Sequence, residues 1–267
     1  MITNLFQAAL QTILEADPTQ KLTLTNQYKY DWELGRLDLK AVSNIQSIIV
    51  PGRPNRPLLV QPRQLPRRRL GSLEGRAAFI HAICHIEFNA INLAWDAIYR
   101  FQNMPKDYYS NWLTVAFEEA KHFDLLNNYL IELGYNYGHF PAHNGLWELA
   151  VLTDYDVLVR MALVPRIMEA RGLDVTPLII EKFKLIKDYK AVEILNVILD
   201  EEVGHVAIGN YWYNYLCIER NLNPVETFKQ LIIKHASSQV KPPFDYNNRI
   251  KSGFTSADLE MLIALSI

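Results

Sequence analysis

Two copies of Glu-x-x-His constrain this chain more than any other feature: Glu119-Ala120-Lys121-His122 and Glu202-Val203-Gly204-His205. Each lies in a long run whose apolar residues recur at helical spacing. Residues three apart on an α-helix point to nearly the same side. Each motif therefore aims one carboxylate and one imidazole at one point. With sixteen Glu and seven His, chance alone gives roughly 0.4 such motifs, with composition as the prior. Two occur, and both sit where long helices are expected. Strand signals are nearly absent after residue 70, so the fold class is all-α.

The helical runs can be bounded. Residues 2–16 carry Leu5, Phe6, Ala9, Leu10, Ile13 and Leu14 on one face, and Asp17-Pro18 is expected to stop that helix. From Lys21 to Leu70 the periodicity is lost. Pro51, Pro54, Pro57, Pro62 and Pro66 alternate with Arg53, Arg56, Arg63 and the triplet Arg67-Arg68-Arg69. That composition predicts an extended arm laid over a helical body. Ser72 is a plausible N-cap for a helix reaching Phe101. Met104-Pro105 marks a turn, and a second helix runs from there to Leu133, closed by Gly134. After a polar and aromatic connection, a third helix is expected from Leu146 to Arg171, kinked at Pro165 and stopped at Gly172. Asp174-Val175-Thr176-Pro177 signals a new short helix. A fourth long helix spans Lys190–Arg220, a fifth Pro224–Ser238, and a short one follows Ser256. The expected organisation is a helix and arm over 1–70, a four-helix bundle over 71–240 and a tail over 241–267.

Holding two metals inside such a bundle takes one more Glu from each of two partner helices. Glu87 lies 32 residues before Glu119, and the midpoint of that interval, Asn103, adjoins the turn at Met104-Pro105. Residues equidistant from the turn of an antiparallel hairpin lie side by side, so Glu87 should face Glu119. Glu169 lies 33 residues before Glu202 and repeats the pattern, with Gly172 and the short helix interrupting the second hairpin. Glu74 and Glu148 are the other acids on these helices. Four carboxylates balance two divalent cations, and oxygen-rich ligation with one imidazole per metal suits iron or manganese. Without metal, those charges in a bundle core would be very costly. For one Glu-x-x-His, surface acids and core histidines are the commoner reading; for the paired set, a metal site is favoured.

The chain's 267 residues allow one large core or two small ones, and a formal charge of -2 argues against a general nucleic-acid binder. Arg67-Arg68-Arg69 reads first as a solvated surface run rather than a phosphate contact. Cys84 and Cys217 lie inside apolar helical runs and form no disulfide framework, which points to a reducing compartment. No signal-peptide pattern and no run of about 18 uninterrupted apolar residues is seen, so the expected location is cytoplasmic, with no membrane partner. His81 and His85 lie on the Glu87 helix but off its face, where core or supporting roles are expected. Trp95, Trp212, Tyr211, Tyr213 and Tyr215 read as core aromatics.

The set Glu87, Glu119-x-x-His122, Glu169, Glu202-x-x-His205 resembles the ferritin-like di-iron carboxylate superfamily. The phrases His85-Ile86-Glu87, Phe140-Pro141-Ala142-His143, Leu163-Val164-Pro165-Arg166 and Glu169-Ala170-Arg171-Gly172-Leu173-Asp174 look like a bacterial ferritin-like family of undefined function, over residues 70–235. A more distant similarity is to the tRNA-modifying di-iron hydroxylases. The resemblance implies a ferritin-like four-helix bundle with an extended N-terminal arm and extra C-terminal helices. It implies that Glu87, Glu119, His122, Glu169, Glu202 and His205 ligate two Fe ions, or Fe and Mn. Glu118 and Glu201 would orient ligand imidazoles on neighbouring helices. The expected function is a dinuclear oxidoreductase that activates O2 or peroxide and hydroxylates a small-molecule substrate, with an unspecified electron donor and a homodimer compatible. The alternative is a metal-binding or ferroxidase-type storage protein without an organic substrate. RNA held by the arginine arm is a third reading, weakened by the overall acidity.

Overall fold

The computed structural model describes residues 2–42, 44–65 and 69–266. Pro66, Arg67 and Arg68, which belong to the expected Pro/Arg arm, lie outside these. The described residues are predominantly α-helical, with isolated bridges in place of strands. The chain divides into two compact units, Met1–Val151 and Leu152–Ile267.

In the first unit, α1 (Leu5–Leu14) starts at Asn4, whose side chain accepts from the N–H groups of Phe6 and Gln7. The expected stop at Asp17-Pro18 is also a start. Asp17 caps a second helix, α2 (Pro18–Glu33), by accepting from Gln20 N–H, and Pro18 occupies its first turn. The expectation of an extended arm from Lys21 is therefore corrected. The helix is hidden from pattern reading because its inward residues are Lys21, Thr25 and Tyr28, which have helical spacing but only one aromatic ring among them. Trp95 Nε1 donates to Thr25 Oγ1 at 3.0 Å, so α2 joins the core through polar contacts.

The arm proper follows α2. Gly52 crosses the end of α1 and donates to Ile13 O at 2.8 Å; a Cβ at Gly52 would lie 2.2 Å from Leu14 O, so only glycine fits. Trp147 Nε1 donates to the carbonyls of Ile48 and Ile49, and Leu59 bridges Ala142. The arm is thus laid on the unit by backbone pairing, as the prolines suggest.

The body of the unit is a hairpin of α3 (Leu73–Arg100) and α4 (Lys106–Glu132). Ser72 Oγ accepts from Gly75 N–H and fixes the start of α3. By length and apolar composition α3 could cross a membrane, but 78% of its most apolar window is buried inside the protein, as befits a core helix. It also carries His81, His85, Glu87, Asn89, Asn92 and Asp96, all buried. Such a helix needs polar partners for these side chains.

The second unit corrects the expected third helix. α5 (Gly145–Leu152) spans the boundary between the units, and the chain then breaks. Asp156 caps a new helix, α6 (Val157–Leu163), accepting from Leu158 N–H. At Pro165 the helix widens into a π turn over Val164–Glu169. Proline has no N–H to bond the carbonyl of Met161, and its ring crowds that carbonyl, which favours the wider turn at this point. Beyond Glu169 the helix continues as α7 (Ala170–Leu185), straight through Gly172 and Pro177. The expected stop at Gly172 and restart at Asp174 do not occur. A turn at Ile186–Asp188, with Lys187 at a positive φ of 59°, leads into α8 (Tyr189–Glu219). The uninterrupted α7 makes α7 and α8 a true antiparallel hairpin.

The remaining helices are α9 (Pro224–His235), α10 (Tyr246–Lys251) and α11 (Ser256–Leu265). Two buried arginines lock them to the unit. Arg249 makes a bidentate pair with Asp174, at 2.8 and 2.7 Å. Arg166 Nη2 reaches Asp258 at 2.7 Å, and its guanidinium lies 4.0 Å from the Phe228 ring centre and 4.3 Å from that of Tyr213.

Candidate metal centre

The α3–α4 hairpin places Glu87, Glu119 and His122 together, as equal distance from the turn predicts. One ligand atom from each lies within 4.8 Å of the others. His122 Nδ1 is 3.4 Å from Glu87 Oε2 and 3.4 Å from Glu119 Oε2. Glu119 and His122 are fully buried and Glu87 nearly so. Glu87 Oε2 is shielded from water, and His122 Nδ1 faces it at 3.4 Å.

Two carboxylates in a dry interior repel each other and lose hydration. Burial first, and the neighbouring Glu119 second, push the Glu87 carboxyl well above the ordinary carboxylate range. Burial opposes the His122 imidazolium, but hydrogen bonds and charge from Glu119 and Glu87 outweigh it and hold that pKa well above its usual value. A buried set of two carboxylates and one imidazole within 4.8 Å of one another fits a divalent ion of oxygen- and nitrogen-ligated type.

A polar layer adjoins this cluster on α3. His85 Nε2 lies 3.2 Å from both the His143 carbonyl and Asn89 Nδ2. Its Nδ1 is hydrogen-bonded to the Tyr137 hydroxyl at 2.8 Å. Burial pulls the His85 pKa down to about 4 despite the carbonyl contact, so the ring is neutral at pH 7. Tyr137 stands against Phe88 and Phe123, the residues that follow Glu87 and His122 in sequence. His81 Nε2 accepts from Gly138 N–H at 2.9 Å. Both histidines are buried, in line with the core placement expected of them, whereas Tyr137, which a loop delivers to them, carries no signal in the residue pattern.

Lys21 was also invisible to pattern reading. Its Nζ is fully buried and donates to Thr12 O, Ile13 O and Asn92 Oδ1 at 2.7, 3.1 and 2.6 Å. Three acceptors match the three N–H groups of an ammonium, while burial works against the charge and lowers the pKa to about 7.

In the second unit, α8 sets Glu202 and His205 on one face, with His205 Nδ1 3.6 Å from Glu202 Oε1. His205 is fully buried. Glu169 closes the π turn, half-buried, with its Oε2 shielded from water. Glu74 and Glu148 are exposed and take no part, and Glu118 and Glu201 are half-buried. Trp95 and Trp212 are core residues, whereas Tyr211 is 60% exposed.

An all-α chain with a buried carboxylate–imidazole cluster able to hold a metal ion is the class these observations define. Within it, the chain belongs to the family described as "Protein of unknown function (DUF455)", whose model matches residues 14–260. An uncharacterized protein of Haemophilus influenzae is 42% identical over 273 residues, covering 98% of this chain and 94% of that relative. No solved structure gives a significant match.

Proposed function

We propose that the protein is a dinuclear metal oxidoreductase, di-iron or iron–manganese, built on a ferritin-like four-helix bundle and using O2 or peroxide to hydroxylate a small organic substrate. The observation that carries this reading is the buried Glu87–Glu119–His122 cluster, which brings two carboxylates and an imidazole within reach of one ion in a dry interior. Glu87, Glu119 and His122 would serve one half of the centre and Glu169, Glu202 and His205 the other. The sequence pattern joins the two halves: in each, a Glu precedes Glu-x-x-His by one hairpin.

The bound metals would supply oxygen activation and redox chemistry. The chain's own residues supply the rest. Glu87 Oε2, Glu119 and His122 Nδ1 would present ligand atoms in their deprotonated forms. Phe88, Phe123 and Tyr137 exclude water from the first-unit cluster. The hydrogen bond between Tyr137 and His85 holds both rings in place beside it.

The test is oxygen consumption by protein loaded anaerobically with Fe2+. The reading predicts uptake of O2 that is lost in a Glu119→Ala, His122→Ala double variant. Uptake that persists in that variant would contradict it. A growing iron core with no organic product would favour the storage alternative.

A further inference from the structure

We infer that Pro165 and Gly209 form a positioning device that sets Glu169 opposite His205; the inference rests on the dinuclear reading above. It starts from a contact too close for any residue but glycine. A Cβ at Gly209 would lie 2.2 Å from Pro165 Cβ and 2.3 Å from Pro165 Cγ. The pyrrolidine ring is rigid and cannot swing aside. The ring is therefore seated directly on the α8 backbone at Gly209.

That seat fixes a register. Pro165 and Gly209 are equidistant in sequence from Lys187, the centre of the turn between α7 and α8. Glu169 and His205 are equidistant from the same residue. One turn along from Pro165 is Glu169, and one turn back from Gly209 is His205. Glu202, His205 and Gly209 also share one face of α8, since they stand at i, i+3 and i+7. The proline ring therefore packs on the face that carries the second Glu-x-x-His, one turn from it, and the segment after the ring runs past His205.

The π turn sets the direction of Glu169. A π turn takes one residue more than an α turn, so everything after it is rotated by about 100° from where a continuous α-helix would put it. Glu169 is the last residue of that turn. The proline favours the turn, and the glycine gives the widened backbone room against α8. This also explains why a Glu next to a helical Gly172 can still point inward: the helix does not end there, and the aim of Glu169 is set upstream. Its Oε2 and His205 Nδ1 are both shielded from water.

The experiment compares Pro165→Ala, Gly209→Ala and Glu169→Gln with the wild-type full-length protein. Each is loaded with Mn2+ and read by metal per chain, by the electron paramagnetic resonance spectrum and by thermal denaturation. The wild type is expected to hold about two metals and give a coupled spectrum. All three variants are expected to fall to about one, with the same six-line signal of an isolated ion. Pro165→Ala is the decisive arm, because replacing a helical proline favours the helix. It should unfold no lower than the wild type and still lose the second metal, which a purely structural role would not produce. Pro165→Ala that keeps two metals while Glu169→Gln keeps one overturns the device and leaves the dinuclear reading standing. Glu169→Gln that keeps two metals overturns the device by removing Glu169 from the site. A wild type that binds no metal overturns both.

Discussion

The α3–α4 hairpin is continuous on both sides of its turn, and counting from that turn is enough to pair Glu87 with Glu119. The α6–α7 segment facing α8 is interrupted by a π turn, and counting pairs Glu169 with His205 rather than with Glu202. The two halves share a sequence pattern but reach it by different backbones. In the first unit, a regular ladder delivers the ligands and burial makes them uncomfortable. In the second, a proline re-aims one acid, and the other two lie on a plain helix. A repeated motif therefore implies similar chemistry without implying similar local geometry.

The largest expected effect falls on the first half. Glu119→Ala or His122→Ala should weaken metal binding there by at least about 100-fold, since even residues that only support ligands change affinity by 10–100-fold. Equilibrium dialysis would read this. In metal-free protein the same cluster should behave in the opposite sense. Glu87→Gln replaces a desolvated acid beside Glu119 with a neutral amide and should raise the melting temperature of the metal-free form while lowering that of the loaded form. A stabilised loaded form would break the claim that burial here serves metal binding.

The next effect belongs to the second unit. Arg249 and Asp174 form a buried bidentate pair tying α10 to α7, and Arg249→Met leaves the buried Asp174 to the longer contact with Arg171 at 3.6 Å and the N–H of Asp245. Denaturant unfolding should show a loss of about 3–5 kcal/mol.

Lys21 gives a pH test of the first unit. Its folded pKa is lowered to about 7 from 10.5. Between those values the unfolded chain still holds the proton that the folded chain has released, so raising the pH favours folding. Below 7 both states are protonated and the contribution is flat. Stability of the wild type relative to Lys21→Met should rise from pH 7 towards 10.5, as measured by urea denaturation at a series of pH values. A flat difference would show that the three acceptors keep the ammonium charged. The smallest effect is Gly172→Ala. A Cβ there meets nothing within 4 Å inside a continuous helix, so a gain of about 0.5–1 kcal/mol is expected, with metal content unchanged.

Long helices with apolar faces and clear caps were legible in the sequence, among them α3, α4 and α8, because burial of a stripe writes itself into residue spacing. The Glu87–Glu119–His122 cluster followed from the same periodicity plus one turn. What was hidden depends on contacts between distant segments. α2 buries Lys21 and Thr25, which look polar until Asn92 and Trp95 are brought to them. Gly172 and Pro177 carry stop signals, yet α7 runs through them because α8 and Arg249 hold it from outside. Tyr137 arrives from a loop, and Gly209 matters only because Pro165 lands on it.

The most direct measurement is elemental analysis of protein purified without chelators, alongside the Glu119→Ala, His122→Ala double variant. The dinuclear account predicts close to two iron or manganese ions per wild-type chain and a clear loss in the variant. Fewer than about one metal per chain, unchanged by the substitutions, would contradict it.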